Sequence, residues 1–194
     1  VMYGAMYAGG YLVKFDPCAP VEPGTNPCNV ATHEEIHRPR CMVALPDGRR
    51  VAWAGFGGYG DAGGGFCVYD TVTGEDTLVV NRDLVRYHSI YSLDNLGDGR
   101  LVAGTSTFTP GGARQRERSA VLFVLDAAGR MAGTPVVPVE GHEQVTACLV
   151  DRTGGVHAVS NRSAYVVWDP VSGAVVMRED CGRFGAPVQA GGVR

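Results

Sequence analysis

The chain has 194 residues, a formal net charge of −3, 45% hydrophobic residues and 28 glycines. That apolar share excludes a disordered chain, and no apolar run approaches the ~20 residues of a membrane helix. No basic stripe interleaves with aromatics, so neither a nucleic acid nor a membrane is expected as a partner.

In chain order, the sequence reads as short apolar strands separated by turn residues. It opens on VMYGA at 1–5, already strand-like, with neither an initiator methionine nor a signal peptide. The natural N-terminus and any targeting signal are expected to lie upstream, and the compartment (exported, periplasmic or cytoplasmic) stays open. A second strand, YLVKFD at 11–16, ends in Asp16, and a loop rich in Pro, Gly and Asn follows. Cys18 and Cys28 flank that loop and would bridge it in an oxidising compartment. None of the six cysteines forms a C-x-x-C pair, which disfavours a zinc knuckle or redox motif. Cys41, Cys67 and Cys148 fall inside apolar strands and are expected to be buried thiols.

Residues His33-Glu34-Glu35-Ile36-His37 match H-E-x-x-H. In a long helix that spacing puts two imidazoles on one face to hold zinc. Here a helix covers 31–36 at most, because Arg38 precedes Pro39 and is biased out of the helical region. No metal is expected, and His33 with His37 is the alternative pair of ligands.

Four segments then resemble one another: VMYGA at 1–5, VAWAG at 51–55, LVAGT at 101–105 and VHAVS at 156–160. Their starts lie 50, 50 and 55 residues apart. Each leads into an apolar strand closed by an aspartate: Asp16, Asp70, Asp126 and Asp169. After Asp70 and Asp169 the pattern D-x-x-[ST]-G ends on Gly74 and Gly173. A carboxylate that caps the turn, with Gly at positive φ, makes a tight hairpin. These aspartates are therefore assigned to turns and not to chemistry. Further strands are expected over 76–81, 134–139 and 174–178. Others, at 42–45, 90–93 and 145–150, precede each repeated segment.

Each unit is thus four short strands, with a period near 50 residues and no long helical stripe. The expected fold is all-β: a β-propeller of about four blades, each of four antiparallel strands. One domain would comprise units 1–40, 41–87, 88–143 and 144–185, with 186–194 beginning another through a strand at 188–193. The phase of the two ends suggests a piece of a ring of roughly six to eight blades. A four-bladed ring closed by strand exchange is the alternative.

The units resemble the broad propeller superfamily of kelch, WD-type and quinoprotein-like repeats, over nearly the whole chain. The kelch double glycine is absent, and Trp168-Asp169 is the one trace of a WD signature. Quinoproteins dock blades through tryptophans; Trp53 and Trp168 are the only two here, so no quinone or other cofactor is expected. A looser similarity rests on Thr25-Asn26-Pro27, His37-Arg38-Pro39, Gly57-Gly58-Tyr59-Gly60 and Gly63-Gly64-Gly65. These look like propellers associated with uronic-acid polysaccharides, whose lyases use histidine, tyrosine and arginine in a β-elimination.

Loops between units line one face of a propeller, and function concentrates on such loops. His37, Tyr59 and His88 are the candidate acid–base residues. Arg38, Arg40 and Tyr91 are the candidate substrate contacts, arginine neutralising a carboxylate. The expected partner is an acidic oligo- or polysaccharide, bound or cleaved. The competing expectation is a non-enzymatic scaffold for a protein partner. Convergent His, Tyr and Arg in a polar cleft would favour a lyase; a shallow face with exposed aromatics would favour a scaffold. Arg114, Arg116 and Arg118 read as a solvated loop, and 57–65 as a flexible hairpin lacking a phosphate-binding lysine. His142 and His157 stand alone.

Overall fold

The structure is a computed structural model that describes residues 1–182. Four antiparallel sheets follow one another along the chain. The first holds β1 (Met2–Met6), β2 (Tyr11–Phe15) and β3 (Cys28–Thr32). The second holds β4 (Arg38–Ala44), β5 (Arg50–Phe56), β6 (Gly64–Asp70) and β7 (Asp76–Val80). The third holds β8 (Ser89–Asn95), β9 (Arg100–Ser106), β10 (Leu122–Asp126) and β11 (Met131–Val136). The fourth holds β12 (Val145–Val150), β13 (Val156–Ser160), β14 (Ala164–Trp168) and β15 (Val175–Asp180). Within each sheet, neighbours in sequence are neighbours in space. The strand expected at 188–193 lies outside the described residues.

The turns follow from their aspartates. Asp70 accepts the backbone N–H of Val72 at 2.9 Å and of Thr73 at 3.1 Å. Asp126 does the same for Ala128 and Arg130, and Asp169 for Val171. Gly74 and Gly173 take φ of 76° and 74°, which an L side chain rarely adopts.

The sheets pack face to face, and strand alternation sends successive side chains into different seams. In β5, Val51 and Trp53 enter the seam between the first and second sheets, while Ala52 and Ala54 enter the seam between the second and third. In β6, Cys67 and Tyr69 divide from Phe66 and Val68 in the same way. In β10, Phe123 and Leu125 face the second sheet, and Leu122 and Val124 the fourth. Sheets buried on both faces read as continuous apolar runs, which is why these strands stand out in the sequence.

The first strand of each complete sheet is tied to the next by side chains. Asn95 in β8 donates to the Ala44 carbonyl of β4 at 2.8 Å. Asp94 accepts the Val150 N–H of β12 at 2.7 Å, and the Ser92 hydroxyl donates to the Val145 carbonyl at 3.1 Å. These bonds set β4, β8 and β12 side by side along one margin.

Three expectations need correction. The strand expected at 134–139 is β11, Met131–Val136. It starts sooner because the Asp126 turn is short, and it carries an irregularity where Gly133 takes φ 80°. The loop flanked by Cys18 and Cys28 ends at β3, Cys28–Thr32, a strand not named from the sequence. The helix allowed at 31–36 is only one 3₁₀ turn, Glu34–Ile36. Cys41, Cys67 and Cys148 are buried thiols as expected, and Cys18 and Cys28 are free. Burial pushes the Cys41 thiol up, and burial also holds Cys148 up to about 12, so neither is a nucleophile at neutral pH. Among the described residues no helix is long and apolar enough to cross a membrane.

Candidate functional site

Because neighbouring strands run in opposite directions, the connections leave the sheets at two edges. One edge carries the hairpins closed by aspartates. The other, the loop edge, carries the β1–β2, β3–β4, β5–β6, β7–β8 and β9–β10 connections. Backbone contacts knit this loop edge together, as where the Gly60 N–H donates to the Gly111 carbonyl at 3.0 Å. All six sequence-predicted site residues stand at this edge or on the strands that enter it: His37, Arg38, Arg40, Tyr59, His88 and Tyr91.

A repeated backbone device aims some of them. In β4 the register steps between Pro39 and Cys41, which leaves Arg40 without a cross-strand partner. In β8 it steps between Ile90 and Ser92, leaving Tyr91, and in β12 between Val145 and Ala147, leaving Thr146. Such bulges re-aim a side chain locally. The Arg40 guanidinium lies 5.3 Å from the Phe56 ring centroid and 5.8 Å from that of Tyr91. Phe56 meets Tyr91 at 5.8 Å and Phe108 at 6.5 Å, both edge-on.

A second cluster stands beside it. The Arg38 guanidinium is buried, donates to the Gly57 carbonyl at 2.9 Å and lies 4.6 Å over the Tyr59 ring. His37 meets the Tyr59 ring edge-on at 5.6 Å and the Tyr7 ring at 6.0 Å. Tyr59 is 76% exposed, Tyr7 64% and Phe108 49%. Next to these residues, Glu35, Asp61, Arg82, Gly57, Gly63 and Gly64 help to line a depression of about 240 Å³.

The structure brings His37, Arg38 and Tyr59 together, and Arg40 with Tyr91. It withdraws both imidazoles from solvent. His37 sets Nδ1 3.0 Å from Glu34, and its Nε2 is buried without a partner. His88 is buried with Nδ1 2.9 Å from the Arg86 carbonyl and Nε2 3.1 Å from the Ser119 carbonyl. Both its nitrogens are thus turned to backbone, between two loops. The histidines of H-E-x-x-H part company: His33 pairs with Asp76 at 2.9 Å while His37 turns to Glu34. A 3₁₀ turn has about three residues per turn, so positions four apart leave one face. Sequence reasoning missed Tyr7, Phe56 and Phe108. Only aromatic character in or beside a loop could have flagged Tyr7 and Phe108, while Phe56 ends β5 and reads as core.

Comparison with family models gives no match, and neither does comparison with curated proteins. Solved structures do match. Chaetomium thermophilum Sqt1, bound to the N-terminus of the ribosomal protein L10, aligns with a TM-score of 0.60 at 14% identity. The alignment covers 96% of this chain and 47% of that one. Quinohemoprotein alcohol dehydrogenase from Comamonas testosteroni aligns with a TM-score of 0.57 at 12% identity, over 92% of this chain and 33% of that one. The fold is a β-propeller. The chain thus spans about half and a third of these neighbours' lengths. In propeller terms each sheet is a blade, and β4, β8 and β12 are consecutive inner strands.

Proposed function

We propose that the loop edge of this propeller docks an acidic segment of a protein partner and performs no chemistry of its own. The observation that carries this reading is the exposure of Tyr7, Tyr59 and Phe108 beside Arg40, an exposed arginine stacked on aromatics. Among the described residues, no carboxylate is ion-paired with Arg38 or Arg40. Tyrosine and arginine are the residues on which interface energies concentrate. Arg82, Arg86, Arg114, Arg116 and Arg118 stand in connections of the same edge with no salt bridge among the described residues, interspersed with Glu35, Asp61, Asp83, Glu117, Glu140 and Glu143, so the edge carries both signs and the proposal rests on Arg40 and the aromatics. Sqt1, bound to the N-terminus of a ribosomal protein, is a propeller neighbour that engages a peptide segment.

A glycan with uronic acids would meet the same arginines. Acid–base cleavage, however, needs an imidazole nitrogen open to substrate, and both nitrogens of His88 and the free nitrogen of His37 face inward.

The test is fluorescence anisotropy with labelled peptides rich in Asp and Glu that carry one aromatic residue, against Asn/Gln counterparts. The acidic set should bind and weaken as salt is raised. A Tyr59→Ala, Phe108→Ala, Arg40→Ala protein should bind about tenfold or more weakly, since each tenfold is roughly 1.4 kcal/mol. Equal binding of both peptide sets, or an unaffected triple variant, overturns the proposal. Ultraviolet absorbance of an unsaturated uronate product, lost in His37→Ala, would replace it with a lyase.

A further inference from the structure

Away from the exposed aromatics, three metal-ligating side chains meet in the seam between the first and second blades. His33 follows β3, Cys67 lies in the middle of β6 and Asp76 begins β7. Their ligand atoms all lie within 4.8 Å of one another. His33 Nε2 is already 2.9 Å from the Asp76 carboxylate. The Cys67 residue is fully buried, while the His33 and Asp76 side chains keep 16% and 29% of their surface. The His–Asp side of the cluster is therefore the side nearer solvent. We propose that His33, Cys67 and Asp76 form a three-ligand site for a borderline divalent cation, zinc first, with a fourth position left for water or an incoming ligand.

The donor set selects the metal class. One nitrogen, one sulfur and one carboxylate oxygen match zinc, whose ligand shells mix these donors in tetrahedral geometry. Calcium and magnesium take oxygen shells and would reject the thiolate. Soft and borderline metals accept it. A second feature of the seam fits a metal-bound sulfur. The indole N–H of Trp53 is buried without a full hydrogen bond. It lies on β5 directly across from Cys67, and the His33 ring sits 5.9 Å from the indole. An N–H beside a ligating thiolate is the kind of outer partner that orients a metal ligand. The site draws on separate strands and on a turn, so the fold assembles it and no sequence spacing announces it.

Binding of one Zn²⁺ forms bonds to the imidazole nitrogen, the sulfur and a carboxylate oxygen. The thiol gives up its proton to solvent, and no oxidant or reductant is involved. The ordinary alternative is a His33–Asp76 ion pair lying over an unreactive core cysteine.

Cobalt(II) separates the two. The chain, stripped with a chelator, is titrated with Co²⁺ and followed by absorbance. A thiolate-to-cobalt charge-transfer band in the near ultraviolet, with strong visible bands of a tetrahedral site, should saturate at one ion per chain. Zn²⁺ should then abolish them. The bands should vanish in Cys67→Ala and persist in Cys41→Ala. His33→Gln keeps a donor for Asp76 and guards against a folding artefact. It should weaken Zn²⁺ by more than the roughly 10–100-fold that loss of an outer partner costs. Zn²⁺ should raise the melting temperature of the wild type and not of His33→Gln. Absence of the charge-transfer band from folded wild type overturns the proposal. So does a band that survives Cys67→Ala, which would move the site to another cysteine.

Discussion

Replacing Arg38 tests how the loop edge is held. The residue is 5% exposed, and its guanidinium donates to the Gly57 carbonyl at 2.9 Å and stacks 4.6 Å over Tyr59. A hydrogen bond from a charged donor contributes about 1.5–3 kcal/mol. The stack adds about 0.5–1 kcal/mol, the range for exposed rings, and Tyr59 is 76% exposed. Arg38→Ala should therefore cost roughly 2–4 kcal/mol. Tyr59→Ala, which loses only the stack, should cost at most about 1 kcal/mol. Arg38→Lys keeps the charge but not the planar fork, and should fall between them. Urea denaturation reads the difference directly. With a slope of about 1–3 kcal/mol per molar, Arg38→Ala should lower the midpoint by roughly 1–2 M with the slope unchanged. The assignment of Arg38 as the anchor of 57–63 is refuted if Arg38→Ala stays within about 1 kcal/mol of wild type. It is refuted equally if Tyr59→Ala costs as much as Arg38→Ala.

Two further outcomes follow from the turns. Asp70 and Asp98 are held below the usual carboxylate range by Arg49 and Arg100, Asp151 by His157 and Asp169 by Ser172, with backbone N–H groups adding to each. A carboxylate depressed in the folded state stabilises above its unfolded pKa of about 3.9 and loses that contribution as pH falls through the folded value. The melting temperature should hold between about pH 7 and 5, then fall steeply below about pH 4, with a shallower fall in Asp70→Asn; a flat profile down to pH 2 would refute this. In the β13–β14 hairpin, Asn161 and Arg162 take φ of 47° and 60°. Asn-Gly is the favoured pair for such a turn, so Arg162→Gly should raise stability by about 0.5–1 kcal/mol in the same urea assay.

Most of the blades were legible from sequence because their strands are short, apolar and closed by a capping aspartate. The seams of the second and third blades bury both faces, so β5, β6, β9 and β10 appear as unbroken apolar runs. β3 escaped notice because its CNVAT strand is buried at no position and follows a long loop. β11 was displaced because Gly133 looks like a breaker, yet the strand absorbs Gly133 in an irregular step. The site was legible only in part. Residue type and loop position pointed to Arg38, Arg40, Tyr59 and Tyr91. The bulges that free Arg40, Tyr91 and Thr146 depend on cross-strand register, which a single strand does not encode. The withdrawal of His88 depends on a carbonyl 31 residues away.

The two edges differ in how their charges are used, and that difference supports placing the proposed docking face at the loop edge. At the hairpin edge the aspartate recurs blade after blade, and each carboxylate is consumed. Asp47 pairs with Arg50, Asp70 with Arg49, Asp98 with Arg100 and Asp126 with Arg130. Asp151 meets His157, and Asp169 the Ser172 hydroxyl. Recurrence with full satisfaction is what turn closure demands of every blade, and it leaves little charge for a partner. At the loop edge nothing recurs except the bulge. The bulge delivers a different side chain each time: Arg40, Tyr91, Thr146. A scaffold that repeats its backbone device while varying the residue it presents, beside large exposed aromatics, fits the proposed docking of an asymmetric segment. On the proposed docking reading, Arg40 and the rings it stacks on mark the face to test first.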